Sequence, residues 1–206
     1  YPIGGVMFCS DSDLSGDSVI FLAHQWNFFP GKQYTPSDFN EKKVTGGTFL
    51  TLGSFGNFSL GSTSEASNGT ATYRLTLSLP DTARTYSLYL PEIFSAYSLY
   101  VDGVLVGQMG NPDPEHYVER TQNRMFTFKA NISLEILIAV TDKSSASPGI
   151  QSVPVFGNPL KINTIRGISV FINSSVFTLI ILVLAFSVWA FFKTRCRANV
   201  LFAGVC

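Results

Sequence analysis

Seven side chains in this chain have the chemical types needed to hold a sugar-like ligand. Trp26, Tyr73 and Tyr97 carry flat aromatic faces that stack on a sugar ring. Arg74, Arg120, Arg124 and Asn111 carry planar polar groups that hydrogen-bond its hydroxyls. Each is equally suited to core or surface structure. Trp26, inside the run Gln25-Trp26-Asn27-Phe28-Phe29-Pro30, also suits the role of a sandwich anchor.

Reaction chemistry is not written in the sequence. It has no phosphate-cradling glycine loop, no two-histidine zinc helix and no nucleophile elbow. Its two histidines stand alone, His24 in an expected strand and His116 in an expected loop. No enzyme is therefore expected within these residues. Asp11, Asp13, Ser15, Gly16 and Asp17 have the oxygen spacing of the first half of a calcium loop. The twelfth position is Leu22 rather than Glu, and a strand is expected to follow. The run reads as an acidic turn, so no cofactor is expected, calcium being the alternative. Asn57, Asn68, Asn131 and Asn173 fit the glycosylation acceptor pattern, and read as turn residues if the source is bacterial.

The elements that must position these groups are strands. Ala71, Tyr73, Leu75, Leu77 and Leu79 alternate with polar residues, and Pro80 stops the run. Leu134, Ile136, Ile138 and Val140 share one face of a second strand, and Tyr86, Leu88 and Leu90 one face of a third. Asp102-Gly103 between two apolar runs is a two-residue hairpin signal. Residues 19–29, 48–52 and 125–129 add candidates. About eight short strands suit a jelly-roll or related β-sandwich. Residues 53–69, rich in Gly, Ser, Asn and Thr, read as a loop across one end. Residues 144–159, with Pro148, Pro154 and Pro159, read as a stalk.

The tail is different in kind. No charged side chain occurs from residue 167 to 192. A helix needs roughly 20 apolar residues to cross the ~30 Å hydrocarbon layer, and residues 168–192 meet that length. Lys193, Arg195 and Arg197 follow at once, and positive flanks favour the cytoplasmic side. All 14 acidic residues precede Gly167, so the N-terminal part carries a net −3 and the remainder +3. The expected order is an extracytoplasmic sandwich over residues 1–160, a juxtamembrane stalk over 161–167 and a transmembrane helix over 168–192. A cytoplasmic loop and the start of a second span are expected over 193–206. Of three cysteines only Cys9 lies in the outer part, so that part is held by its core rather than by a disulfide. The chain begins at Tyr1, and export would call for a signal upstream. A formal charge of zero argues against nucleic acid as a partner.

Several stretches together resemble a family. Gln25-Trp26-Asn27-Phe28-Phe29-Pro30 is similar to the opening strand of the extracellular sensor domain in bacterial seven-transmembrane receptors with diverse intracellular signalling modules. Ala71-Thr72-Tyr73-Arg74-Leu75 is similar to a further strand of that domain. So are Leu90-Pro91-Glu92-Ile93-Phe94-Ser95-Ala96-Tyr97 and Leu99-Tyr100-Val101-Asp102-Gly103, with Asp102 where the family usually has Asn. Gly107 and Gly110 fit its next loop. Val188-Trp189-Ala190-Phe191-Phe192-Lys193-Thr194-Arg195 resembles the exit of its first span, with Trp189 in place of the usual Tyr.

The resemblance spans residues 19–206. It implies an all-β, galactose-binding-like jelly roll outside the cell membrane, followed by transmembrane helices and an intracellular output that lies outside this chain. The expected function is sensing of a carbohydrate or other small molecule, with the lipid bilayer and a receptor homodimer as further partners. The alternative is a membrane-anchored carbohydrate-binding or adhesion module, or an accessory domain of a surface glycosidase.

Overall fold

The computed structural model describes residues 4–14, 18–52, 69–91, 93–143 and 149–203. The chain divides into two units, Tyr1–Ile162 and Asn163–Cys206. The first is a β-sandwich and the second continues as an apolar helix.

The strands are β1 (Val6–Phe8), β2 (Val19–Phe21), β3 (Trp26–Pro30), β4 (Thr48–Leu50), β5 (Gly69–Ser78) and β6 (Arg84–Leu90). They continue with β7 (Ala96–Val101), β8 (Val104–Met109), β9 (Arg124–Ala130), β10 (Ser133–Asp142) and β11 (Val155–Gly157). The helices are α1 (Asp11–Leu14), α2 (Pro36–Asn40) and α3 (Pro159–Ala203). The wide sheet runs β4-β3-β5-β10-β7-β8, with β1 added in parallel to β5. The narrow sheet runs β2-β11-β6-β9.

The period-2 pattern read in the sequence is what builds the wide sheet. β5 and β10 pair over ten positions, placing Tyr73 opposite Ile138, Leu75 opposite Ile136 and Leu77 opposite Leu134. All six are fully buried. The narrow sheet faces them with Tyr86, Leu88 and Leu90 from β6 and Phe156 from β11. Tyr86 stacks on Phe156 at 5.1 Å. Trp26 meets Tyr73 edge-on at 6.4 Å, and its indole N–H donates to the Leu22 carbonyl at 2.7 Å. That bond removes the cost of burying the indole nitrogen. Cys9 is buried and free, and burial pushes its thiol up to about 11, so it stays protonated at neutral pH.

The Asp102-Gly103 hairpin forms as expected between β7 and β8, both turn residues taking positive φ (48° and 79°). Four expectations need correction. The run 19–29 is not one strand: Gln25 takes φ 63°, and the chain passes from β2 in the narrow sheet to β3 in the wide one. His24 therefore lies exposed between strands, with Nδ1 3.4 Å from the Thr51 hydroxyl. Nor is 144–159 simply a stalk, because Val155–Gly157 is a buried strand hydrogen-bonded between β2 and β6. Its Val-Phe-Gly is too short to show a period. Finally, Asn173 is a helical residue rather than a turn residue; 161–167 and 193–203 are also helical, as parts of α3. Of the loop expected over 53–69, Gly69 opens β5, and 53–68, with Asn57 and Asn68, lie outside the described residues, as do Ser15, Gly16 and Asp17. The described acidic residues of that run open α1: Asp13 accepts from the Ser10 N–H at 2.9 Å, and Asp11 pairs with Arg84 at 2.9 Å.

From residue 167 to 192 α3 carries no charged side chain, and its large apolar side chains from Val170 to Phe192 are exposed. By length and composition it can cross a membrane. Three of its hydroxyls are satisfied within the helix: Ser175, Thr178 and Ser187 donate to the carbonyls of Phe171, Ser174 and Val183, each at 2.8 Å. Such back-bonding is what a hydroxyl needs where no water is available. Lys193 Nζ lies 4.6 Å from the centre of the Trp189 ring.

Because Trp26 fills the centre of the sandwich, Trp26→Ala should destabilise it by about 3–5 kcal/mol. Urea unfolding followed by tyrosine fluorescence measures this; a loss under about 1 kcal/mol would show that the indole does not anchor the core.

Candidate functional site

β8 is the last strand of the wide sheet and β9 the last of the narrow one. The segment between them, 110–123, crosses from one sheet to the other. Two glycines set this crossing. At Gly107 an added Cβ would stand 2.2 Å from the Phe126 ring, so its absence lets β9 pack against β8. Gly110 has φ 65°, and a Cβ there would stand 2.1 Å from the Val118 carbonyl oxygen. Only glycine meets both demands without strain.

The crossing segment is clipped into a closed loop. The Asn111 N–H donates to the Val118 carbonyl at 2.8 Å, and the Val118 N–H returns the bond at 3.1 Å. Inside the loop, Asp113 accepts from His116 Nδ1 at 2.8 Å and from the Glu115 N–H at 3.0 Å. The bond from His116 holds the Asp113 carboxyl below the usual carboxylate range. From outside, Gln33 Nε2 donates to the Pro112 carbonyl at 3.4 Å and Lys143 Nζ donates to the Pro114 carbonyl.

A cavity of about 520 Å³ opens against this loop. Its polar lining comes from Gln108, Asn111, Glu119, Arg120, Gln122 and Arg124, with Met109 among the apolar contacts. The volume suits a small ligand. Asn111 uses its side-chain oxygen to accept the Asp113 N–H at 3.2 Å, which turns its NH₂ to other uses. Neither Arg120 nor Arg124 forms an ion pair among the described residues. The Arg124 guanidinium lies 6.0 Å from the Phe126 ring centre.

Three of the seven expected residues, Asn111, Arg120 and Arg124, are thus brought to one cavity. Tyr97 lies beside them but beneath the surface. It pairs with Met109 across β7 and β8, is fully buried, and its hydroxyl has no hydrogen-bond partner among the described residues. Burial pushes that hydroxyl up to about 12, and the positive charge of Arg124 partly offsets the rise.

The other three lie elsewhere. Trp26 and Tyr73 are core residues with no exposed ring face to stack on a sugar. The Tyr73 hydroxyl accepts the Ile150 N–H at 3.3 Å, and burial raises its pKa above the ordinary phenol value. Tyr97 likewise presents no ring face to solvent. Arg74 points from the opposite face of β5. It is paired with Glu135, its Nε 2.7 Å from Oε2, and lies 4.7 Å over the Phe39 ring of α2. Gln108 and Gln122 were not singled out in the sequence. Their only signal is proximity to Arg120 and to the glycines at 107 and 110, which polar composition alone does not weight.

No protein-family model and no curated protein matches the chain. Among solved structures, it is similar to a GH2 beta-galacturonidase from Eisenbergiella tayi bound to galacturonate. The identity is 14%, over 68% of this chain and 24% of that one, with a TM-score of 0.45. It is similar to a β-glucuronidase from Ruminococcus gnavus at 14% identity, over 68% and 29% of the two chains, with a TM-score of 0.44. A glycosyl hydrolase family 2 member from Bacteroides cellulosilyticus DSM 14838 gives 12%, 68%, 20% and 0.48. The matched region is under a third of each of those proteins. Similarity of this degree assigns neither ligand nor reaction to the chain.

Gly110→Ala should destabilise the sandwich by about 1–3 kcal/mol, because it adds strain at a positive φ to a backbone clash. An unfolding midpoint equal to wild type would show the turn to be more adaptable. Tyr97→Phe should leave stability unchanged or raise it by about 1 kcal/mol, since it removes a buried hydroxyl without a partner. A clear fall in the midpoint would reveal a hydrogen bond made by that hydroxyl.

Proposed function

We propose that this chain is the ligand-sensing part of a bacterial membrane receptor. The sandwich, a galactose-binding-like jelly roll in this reading, stands outside the cell membrane and binds a carbohydrate or other small molecule. α3 crosses the bilayer with its Lys193 end inside, and the signalling output belongs to a part of the receptor beyond this chain. The observation that carries this reading is the convergence of Asn111, Arg120 and Arg124 on one cavity of the sandwich. The apolar exterior of α3 and the charge asymmetry around it support the membrane placement. The resemblance to the seven-transmembrane receptor family supports the receptor role.

The task proposed for the site is binding, not turnover. Carboxamides and guanidiniums offer hydrogen bonds in fixed planar geometry. A bound ligand shifts the receptor only by its difference in affinity between two states. The covalent route for such a shift is short: β11 ends at Gly157 and α3 begins at Pro159, with Asn158 between them.

The test is a thermal-shift screen of the full chain in detergent micelles against mono- and disaccharides, amino acids and other small metabolites. At a ligand concentration about 100-fold above Kd, binding should add about 2.7 kcal/mol and raise the midpoint by several degrees. The double variant R120Q/R124Q should lose that shift while keeping its unliganded midpoint. A shift that survives in the double variant, or no shift from any compound, would overturn the cavity as the sensing site. In spheroplasts, added protease should remove the sandwich; protection of the sandwich would overturn the outward orientation.

A further inference from the structure

We infer that the cavity takes a sugar bearing one carboxylate, an acidic monosaccharide or the end of an acidic saccharide, in preference to a neutral sugar. This deepens the ligand-binding reading above and rests on it. The lining brings two arginines, Arg120 and Arg124, to one opening, with a single acidic residue, Glu119. The lining therefore carries one net positive charge, matched by one negative charge on a ligand. The N-terminal part of the chain is net negative, so this positive charge is a local feature of the cavity, not a basic surface.

Geometry favours a carboxylate in particular. A guanidinium presents paired N–H groups in a plane, which match the two oxygens of a carboxylate. Neither arginine spends that fork on an ion pair among the described residues, unlike Arg74, which gives its own to Glu135. Arg124 is steadied instead by the Phe126 ring at 6.0 Å. The Tyr97 hydroxyl, which feels the positive charge of Arg124, is neutral at physiological pH. With the arginines the lining includes three carboxamides: Asn111, whose oxygen already accepts the Asp113 N–H, Gln108, whose Nε2 donates to the Gly110 carbonyl at 3.2 Å, and Gln122. Hydroxyl groups, which both donate and accept, are what such amides bind. A ligand with one carboxylate and several hydroxyls satisfies both halves of the lining.

The discriminating experiment is titration calorimetry of the full chain in micelles at low salt with D-glucuronate and D-glucose. The two differ only in a carboxylate for a hydroxymethyl group. Glucuronate should bind roughly tenfold or more tighter. R120Q and R124Q should each weaken glucuronate by roughly tenfold to a hundredfold and glucose by a clearly smaller factor. Raising salt should weaken glucuronate alone, because charge pairing at a part-exposed site is screened. Equal affinity for the two sugars, lost in the arginine variants, would overturn the acidic preference while the cavity remains a binding site. Tighter binding of glucose 6-phosphate than of glucuronate would overturn the single-carboxylate match. If neither sugar binds while a neutral hit from the screen does, the acidic class falls alone. If nothing binds, it falls together with the reading it rests on.

Discussion

The ladder between β5 and β10 is the constraint on which this fold depends. Ten consecutive pairs fix which way every side chain along two central strands must face, because slipping by one residue would turn each to the other side. Inward, it commits Tyr73, Leu75, Ile136 and Ile138 to the core. Outward, it sets Arg74 near Glu135 and within reach of Phe39. At its far end it places Asp142, which accepts the Ser95 hydroxyl at 2.6 Å; Ser95 in turn accepts the Gly149 N–H at 2.8 Å. With the Tyr73–Ile150 bond, those contacts pin the backbone that leads into β11. The sandwich has one cysteine and so no internal disulfide, and this ladder with the aromatic layer over it replaces covalent staples.

What was legible in the sequence follows from that arrangement. Long strands with one buried face leave a period-2 trace, so β5, β6 and β10 could be read, as could the hairpin at Asp102-Gly103. Short strands leave none. β1 and β11 span three residues each and owe their existence to partners already in place. The apolar tail was legible as one long helix because its uncharged run from residue 167 to 192 is far longer than any other in the chain. The passage from one sheet to the other at Gln25 was not, because it depends on a positive φ that the residue type does not announce.

The site was legible only in its polar half. Arg120, Arg124 and Asn111 converge because a loop that joins the margins of two sheets must run over the surface, where charged side chains are kept. The aromatic half went to the interior for an equally simple reason: Trp26, Tyr73 and Tyr97 occupy buried positions of β3, β5 and β7, and only for Tyr73 did the period-2 pattern already say so. Residue type proposed stacking, and strand phase decided against it.

The position of β11 has a consequence for where this protein can be divided. A three-residue strand bonded on both sides, with Phe156 fully buried, sits immediately upstream of the membrane-length helix. Severing the chain ahead of Val155 would take away the filling between β2 and β6 and leave β2 with no neighbour in its sheet. A fragment that keeps the narrow sheet whole has to run past Gly157, so the dividing point falls at Asn158 or within α3 rather than ahead of β11.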